Sequence, residues 1–522
     1  MRKVLFALSL SVLLFACSGA PERGNYIPKS AKAVLTVNMK AIVDEIKWDI
    51  LFGGDLFKLK NAKGVMKQLL EDPGKTGVEF MERSYVFIDS TGAEPAVVAM
   101  VPLSDADAFA EFLRSRGDTV LTEGDYQAVR LGKDQLLWND ETAFFVSGQK
   151  DVAQSATYVN ALIDGQKGTL LATEFKGKAL LTSEDHIALW ASGDVVNLLM
   201  PAQGFTVYPP LSAVVKPVPA SAPDADKSEY TATINFKNGK LAIAADQHLD
   251  EKSEMLKVYK NDSKLKDLSM AADVDKAMLT VAFTANMKAI AAFLGSSGFK
   301  DMLDMYIAPS GLNTEDVATM FDGDVFVSFD GVQIRMEERE IPDMNEESGE
   351  YEIVTEMAPT YYPSMVVGLS LADTIMAKQF VNRKLYNFAA INKQGVYSFG
   401  PGKGHLFFKG KYMYYVSDSA AMANVVNGKS VAANTILNDL SSGLFIHTKD
   451  VTKKLPLSEW SVSAENTAKK VEASIEGLKV MVQPLKGSTV HGELELNAVN
   501  KNENILITLL KLMKDLESAP EA

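Results

Sequence analysis

A five-residue string, Asn38-Met39-Lys40-Ala41-Ile42, recurs intact as Asn286-Met287-Lys288-Ala289-Ile290. Each copy follows an apolar run of strand character, Ala33-Val34-Leu35-Thr36-Val37 in one case and Ala277-Met278-Leu279-Thr280-Val281 in the other. Further on, Val97 to Leu103 parallels Met365 to Leu371, and Asp105 and Phe112 fall opposite Asp373 and Phe380. The stretch Gln135 to Ser147 matches His405 to Ser417 without a gap, pairing Trp138 with Phe408, Phe144 with Tyr414 and Val146 with Val416. The offset grows from 248 at the pentamer to 268 at the two aspartates, and an acidic insert at 336–360 accounts for the growth. Near the ends, Thr231 to Phe236 and Met255 to Lys260 are echoed by Val490 to Leu496 and Leu509 to Lys514. The chain thus reads as two related halves, 28–265 and 270–518. That period is far longer than a solenoid or propeller repeat, so a whole domain is duplicated.

Both periodicities of regular structure occur in each half. Alternating runs such as Ser84 to Asp89, Gln127 to Leu131 and Val325 to Phe329 predict half-buried strands. Asp105 predicts an N-cap, after which Ala108, Phe109, Phe112 and Leu113 share one helical face. Strands in succession, interrupted by a few helices, predict an α+β fold: two tandem antiparallel sheets with helices packed on one face. Six prolines between Pro201 and Pro223 predict an extended connecting loop at 201–223. Alternation in Val332 to Met336 and in Tyr351 to Met357 predicts that the acidic insert is a long hairpin with a solvated tip.

The amino terminus is an export signal. Met1-Arg2-Lys3 precedes thirteen mostly apolar residues, Val4 to Ala16, which are too few to span a bilayer. The single cysteine of the chain, Cys17, follows. Leu14-Phe15-Ala16-Cys17 resembles the bacterial lipobox, with Phe15 bulkier than that motif carries. The resemblance implies removal of residues 1–16, a diacylglycerol on the Cys17 thiol, a palmitate-type acyl chain on the new amine, and a lipidated tether at 17–27. Three acyl chains exceed the two signals needed for stable membrane attachment.

Removal of Arg2 and Lys3 takes the formal charge from −14 to −16, an acidic balance that disfavours nucleic acid. With its only thiol acylated, the mature chain has no disulfide and no cysteine nucleophile.

No motif for catalysis emerges. His186, His248, His405, His447 and His491 share no metal-ligand spacing. Gly295-Ser296-Ser297-Gly298 lacks the spacing of a nucleophile elbow, and Gly400-Pro401-Gly402-Lys403-Gly404 sits between two strand-like runs, as a hairpin turn does and a phosphate loop does not. Asp322 and Asp324 are a carboxylate pair by proximity alone. The aromatic cluster Phe407, Phe408, Tyr412, Tyr414 and Tyr415 reads first as core; as a binding surface it would offer Tyr412 and Tyr414 to a sugar or peptide.

With its lipobox, two-copy layout and length, the chain resembles the large uncharacterised outer-membrane lipoproteins of Bacteroidota, which carry no assigned catalytic residues. The resemblance implies a lipid-anchored outer-membrane protein. Ser18 to Arg23 holds only one acid, which favours the periplasmic face over the cell surface. The expected role is non-catalytic binding or scaffolding of another envelope protein, without metal or cofactor. Capture of a glycan or peptide is the alternative, and an envelope hydrolase ranks third.

Overall fold

The computed structural model describes residues 16–17, 23–46, 75–90, 95–164, 169–193, 195, 227–253, 255–296, 300–344, 351–385, 389–400 and 403–517. The expected export signal up to residue 15, the proline-rich segment 201–223 and the tip of the acidic insert, 345–350, lie outside them. Of the lipidation segment, the backbone of Ala16-Cys17 is described, paired in parallel with Phe80-Met81. The protein is α+β, built on antiparallel strands. It forms two compact units: unit 1 comprises 1–253 with 486–520, and unit 2 comprises 254–485 with the last two residues.

In unit 1 the strands are β1 (Ala31–Val37), β2 (Ser84–Asp89), β3 (Ala96–Pro102), β4 (Leu121–Glu123), β5 (Tyr126–Leu131), β6 (Asp134–Trp138), β7 (Thr142–Ser147), β8 (Ile187–Ser192), β9 (Glu229–Lys237) and β10 (Lys240–His248). They pair in the order β4-β5-β6-β7-β3-β2-β1-β8-β9-β10. Because successive side chains point to opposite faces, this sheet builds two cores. On one face Val34, Phe87, Val98, Phe144 and Val146 are buried with helix α3 (Val152–Asp164). On the other, Val37, Val86, Ala99, Val101, Trp138 and Phe145 are sealed by α1 (Met39–Ile46) and α2 (Ala106–Ser115). Asn38 and Asp105 start those helices: the Asn38 side chain accepts from Ala41 N–H at 3.2 Å, and Asp105 from Asp107 and Ala108 N–H at 3.0 and 2.9 Å.

Unit 2 has β11 (Leu279–Thr284), β12 (Phe321–Met344), β13 (Tyr351–Leu371), β14 (Ala390–Ile391), β15 (Tyr397–Ser398), β16 (His405–Lys409), β17 (Tyr412–Val416), β18 (Ser442–His447) and β19 (Ile475–Val482). Their order is β14-β15-β16-β17-β13-β12-β11-β18-β19. Its helices include α4 (Leu265–Leu268), α5 (Met287–Ser296), α6 (Lys300–Ile307), α7 (Thr314–Met320), α8 (Thr374–Leu385), α9 (Ser419–Val426), α10 (Val451–Lys454), α11 (Leu457–Trp460) and α12 (Val462–Ser474). Asn286 and Asp373 cap α5 and α8 as Asn38 and Asp105 cap α1 and α2: Ala289 N–H donates to Asn286 at 3.2 Å, and Ile375 and Met376 N–H donate to Asp373 at 2.9 Å. The acidic insert is the distal part of the β12–β13 hairpin, continuously paired from Gly331–Ser364 to Met344–Tyr351, as its alternation predicts.

The compact units depart from the two halves of the sequence. Strand β20 (Thr489–Ala498) and helix α13 (Ile505–Glu517), which close the half 270–518, belong to unit 1. β20 pairs along its length with β10, from His248–Thr489 to Lys240–Asn497, and Ile507 of α13 enters the core beneath α1 and α2. A strand stays with the edge that satisfies its backbone donors and acceptors, wherever its sequence belongs.

Candidate functional site

One buried core of unit 2 resembles its counterparts: Ala282, Phe326, Val366, Phe407, Tyr414, Val416 and Phe445 pack with Leu265, Leu268 and Val425. The opposite face of the same sheet carries Phe408, Met413, Tyr415, Met365, Val367, Leu369, Val325, Val327, Phe329, Leu279, Val281, Phe283, Leu444, Ile446, Leu478 and Val480, in register across seven strands from β16 to β19. None of these side chains is fully buried, and Phe283 is exposed. At about 4.8 Å per strand the face is about 30 Å wide.

The residues that cover such a face explain the difference. Positions equated by the sequence repeat are buried in unit 1 and half-exposed in unit 2: Val37 and Val281, Ala99 and Val367, Val101 and Leu369, Trp138 and Phe408, Phe145 and Tyr415. In unit 1, Phe109 of α2 meets Trp138 edge-on at 5.3 Å between ring centroids. In unit 2 the position of Phe109 is held by Ala377, and its neighbour Lys378 lies over the Phe408 ring at 5.7 Å. Likewise Val43 of α1, buried, is replaced by Ala291 of α5, half-exposed. At these two positions the covering helices carry smaller side chains, while the end of the face at Leu371 is buried with Met320 and Ala377, against which Phe408 and Met413 pack.

The face offers almost nothing to a polar ligand. Its one hydroxyl, that of Tyr415, donates to the Lys403 carbonyl at 2.9 Å. At one end Lys260 sits between Asp322 and Asp324, at 2.8 and 2.9 Å. Burial pushes the Asp324 carboxyl up, but bonds from Lys260, the Lys264 N–H and Ser370 outweigh it and hold it below its ordinary value. This carboxylate pair is therefore neutralised by a lysine and spent on structure.

Of the two tyrosines proposed from sequence as ligand contacts, Tyr414 is closed to a ligand by burial and Tyr412 is partly covered. Tyr414 is 0% exposed, stacks on Phe407 and donates to the Asp267 carbonyl at 2.8 Å. Tyr412 is half-buried, with its hydroxyl on the Asp267 carboxylate at 2.8 Å. Burial raises both phenols well above their ordinary range. Strand alternation turns Tyr414 inward, and the Asp267 carboxylate holds Tyr412. Sequence reasoning missed the opposite face because its residues read as ordinary core; the informative signal was the pairing of Phe109 with Ala377.

The histidines are dispersed. His186 is buried beside Phe236, with Nδ1 accepting the Phe236 N–H at 2.9 Å, and burial lowers its pKa. His447 is also lowered by burial, whereas His491 is raised by Asp246, at 2.7 Å, and Glu493, at 3.2 Å. Among the described residues no three metal-ligating side chains converge. A cleft of about 300 Å³ in unit 2 is lined by Asp273, Asp330 and Asp418, but Lys276 pairs with the first, Lys454 with the second, and the third caps α9. Gly400 and Gly404, with φ of 106° and 87°, flank the turn between β15 and β16, which is a hairpin and not a phosphate cradle.

No family model and no curated protein matches the chain. Among solved structures, crystal form III of TP0453 is similar at 12% identity and a TM-score of 0.28, covering 45% of this chain and 82% of that one. Crystal form I of the same protein gives 11% and 0.28 over the same spans. A putative DNA polymerase III beta subunit from Eubacterium rectale gives 8% identity and a TM-score of 0.09, covering 74% of this chain and 98% of that one.

Proposed function

We propose that the protein is a lipid-anchored, non-catalytic binding protein of the bacterial envelope, and that unit 2 takes the acyl portion of a lipid on its half-exposed sheet face. One observation carries this reading: the face that α1 and α2 seal in unit 1 is only partly covered in unit 2, outside the buried end at Met320, Leu371 and Ala377, and it is apolar across seven strands. A contiguous apolar face that its own helices cover only in part is suited to an apolar ligand. A sugar or peptide would bring donors and acceptors that the face cannot satisfy, at a cost of about 1–3 kcal/mol for each one buried. An acyl chain brings none, and each buried methylene contributes about 0.8 kcal/mol.

The architecture behind this reading is a tandem duplication. The order β4-β5-β6-β7-β3-β2-β1-β8-β9 in unit 1 is repeated position by position as β14-β15-β16-β17-β13-β12-β11-β18-β19 in unit 2, and the asparagine and aspartate caps recur with it. By place in the sheet the counterpart of β20 is β10, one strand later than the Thr231 to Phe236 echo suggests. One copy retains a sealed core while the other is free to bind. The lipid on Cys17 would hold the chain at the outer membrane, on its periplasmic face.

The test uses the full chain with Cys17→Ala, which carries no acyl anchor, titrated with a fluorescent fatty acid. Saturable binding is expected, weakened at least tenfold by Val367→Asp and unchanged by Tyr412→Phe. Absence of binding by the folded chain would remove the proposal. In cells, Cys17→Ala is expected to leave the membrane fraction; normal retention there would refute the anchor.

A further inference from the structure

Beyond Gly331 the β12–β13 hairpin continues as a two-stranded ribbon, and its two faces differ. One face satisfies itself. Glu337 accepts from the Tyr362 hydroxyl at 2.5 Å, Arg335 lies over the Tyr362 ring at 5.5 Å, and Arg339 donates to Thr360 at 3.1 Å. The other face, set by the pairs Ile334–Tyr361, Met336–Pro359, Glu338–Met357 and Glu340–Thr355 and by Ile353 beyond them, carries apolar side chains interrupted by two acids and a threonine. It stands in solvent: Met336 is 56% exposed, Met357 55% and Ile353 74%. Tyr361 fixes its base by donating to Glu459 of α11.

We infer that this face is a docking surface for another protein, specifically for a cationic amphipathic segment in which apolar residues alternate with lysine or arginine. Charge complementarity selects that occupant. The insert 336–360 holds nine acidic side chains against one basic one, Arg339, and Glu338 and Glu340 carry no ion pair among the described residues. That charge repels an anionic lipid surface and a second copy of this acidic chain. It attracts a basic segment while Ile334, Met336, Met357 and Ile353 supply apolar contact.

The prolines decide how the partner sits. Pro342, Pro359 and Pro363 lie within the paired ribbon, and a proline there fits only where an N–H would point away from the partner strand. Both outer edges therefore lack donors at these points and resist addition of a further strand. The partner packs onto the face, through its side chains.

The experiment uses the full Cys17→Ala chain and a labelled peptide of alternating leucine and lysine, followed by fluorescence anisotropy. Met336→Glu with Met357→Glu is expected to weaken binding at least tenfold, and Glu338→Lys with Glu340→Lys to do the same. A matched charge change away from the ribbon, Asp301→Lys, is expected to shift it less than twofold. These substitutions lie on solvent-exposed positions, and an unchanged denaturant midpoint verifies folding. Equal weakening by Asp301→Lys, or none by the methionine substitutions, would overturn the inference. In cells, a photo-cross-linker at Met357 is expected to capture a protein through a basic, apolar-alternating segment, mapped by mass spectrometry. Adducts confined to lipid or to a second copy of the chain would overturn it as well. Fatty-acid binding is read at Val367 and peptide binding at Met336, so either result can fail without the other.

Discussion

Unit 1 and unit 2 arrange nine strands in the same order, yet unit 1 buries both faces of its sheet, whereas the second face of unit 2 is fully buried only at one end, around Met320, Leu371 and Ala377. The contrast teaches that strand order and burial are set by different residues. Order follows from caps and alternation, which the two units share down to the identical Asn-Met-Lys-Ala-Ile start of α1 and α5. Burial follows from the bulk of the covering helices, where Phe109 and Val43 in unit 1 stand against Ala377 and Ala291 in unit 2. Two side chains that no motif would single out mark where a closed core gives way to a partly covered face.

The sharpest way to break this comparison is a matched pair of truncations. Trp138→Ala removes a side chain 1% exposed and should cost unit 1 about 4 kcal/mol, whereas Phe408→Ala, at the equivalent half-exposed position, should cost unit 2 about 1–2 kcal/mol. Denaturant unfolding of the two variants measures both values. Equal costs would mean that the face of unit 2 is packed like a core.

A second substitution sharpens the account of where unit 2 is well held. Asp324→Ala leaves the Lys260 ammonium without its buried partner and should destabilise unit 2 by about 3 kcal/mol. Asp324→Asn, which keeps the shape and loses the charge, should recover only part of that in the same unfolding measurement.

A third prediction concerns pH and sets two histidines of unit 1 against each other. The folded pKa of His186 is lowered, by burial first, with Lys237 acting in the same sense and Asp185 opposing it. The unfolded chain therefore binds the proton more readily, so this contribution to stability is intact above the ordinary histidine pKa near 6.5 and is lost as pH falls through that value toward the folded one. His491 has the opposite sign. Raised by Asp246, it contributes below its ordinary pKa and loses the contribution as pH rises through the folded value. Stability against pH for His186→Gln should lose the acid-side slope that the unaltered chain shows.

The smallest expected effect lies in the shared caps. Asn38→Ala and Asn286→Ala each remove one bond to a helix amide at 3.2 Å, worth about 1 kcal/mol. Asn38 is buried and also reaches Glu184 at 3.3 Å, so its loss should exceed that of the exposed Asn286. Identical losses would indicate that the cap alone matters at both sites.

Much of the fold was legible. The Asp105 and Asp373 caps and the alternating runs pointed to an α+β fold of antiparallel strands, and the alternation in the acidic insert pointed to a hairpin. The candidate site was not legible in the same way. Tyr412 and Tyr414 stood out because aromatic residues cluster there, and the register turned Tyr414 into the core. The open face consists of valines, leucines and phenylalanines that look alike whether buried or exposed. Nor did any local pattern indicate that β20 and α13 would leave the half in which they are encoded and complete unit 1.

What the sequence by itself determined is local or pairwise along the chain: where helices start, which strands alternate, and where Cys17 stands relative to the apolar run 4–16. What only the tertiary structure decided is coverage. Whether an apolar residue ends in a core or on a surface depends on the volume of side chains brought over it by distant elements, as Phe109 is brought over Trp138 and Ile507 beneath α1. That quantity is a sum over contacts in space, and alternation along a strand records only which way a side chain points, not what meets it there.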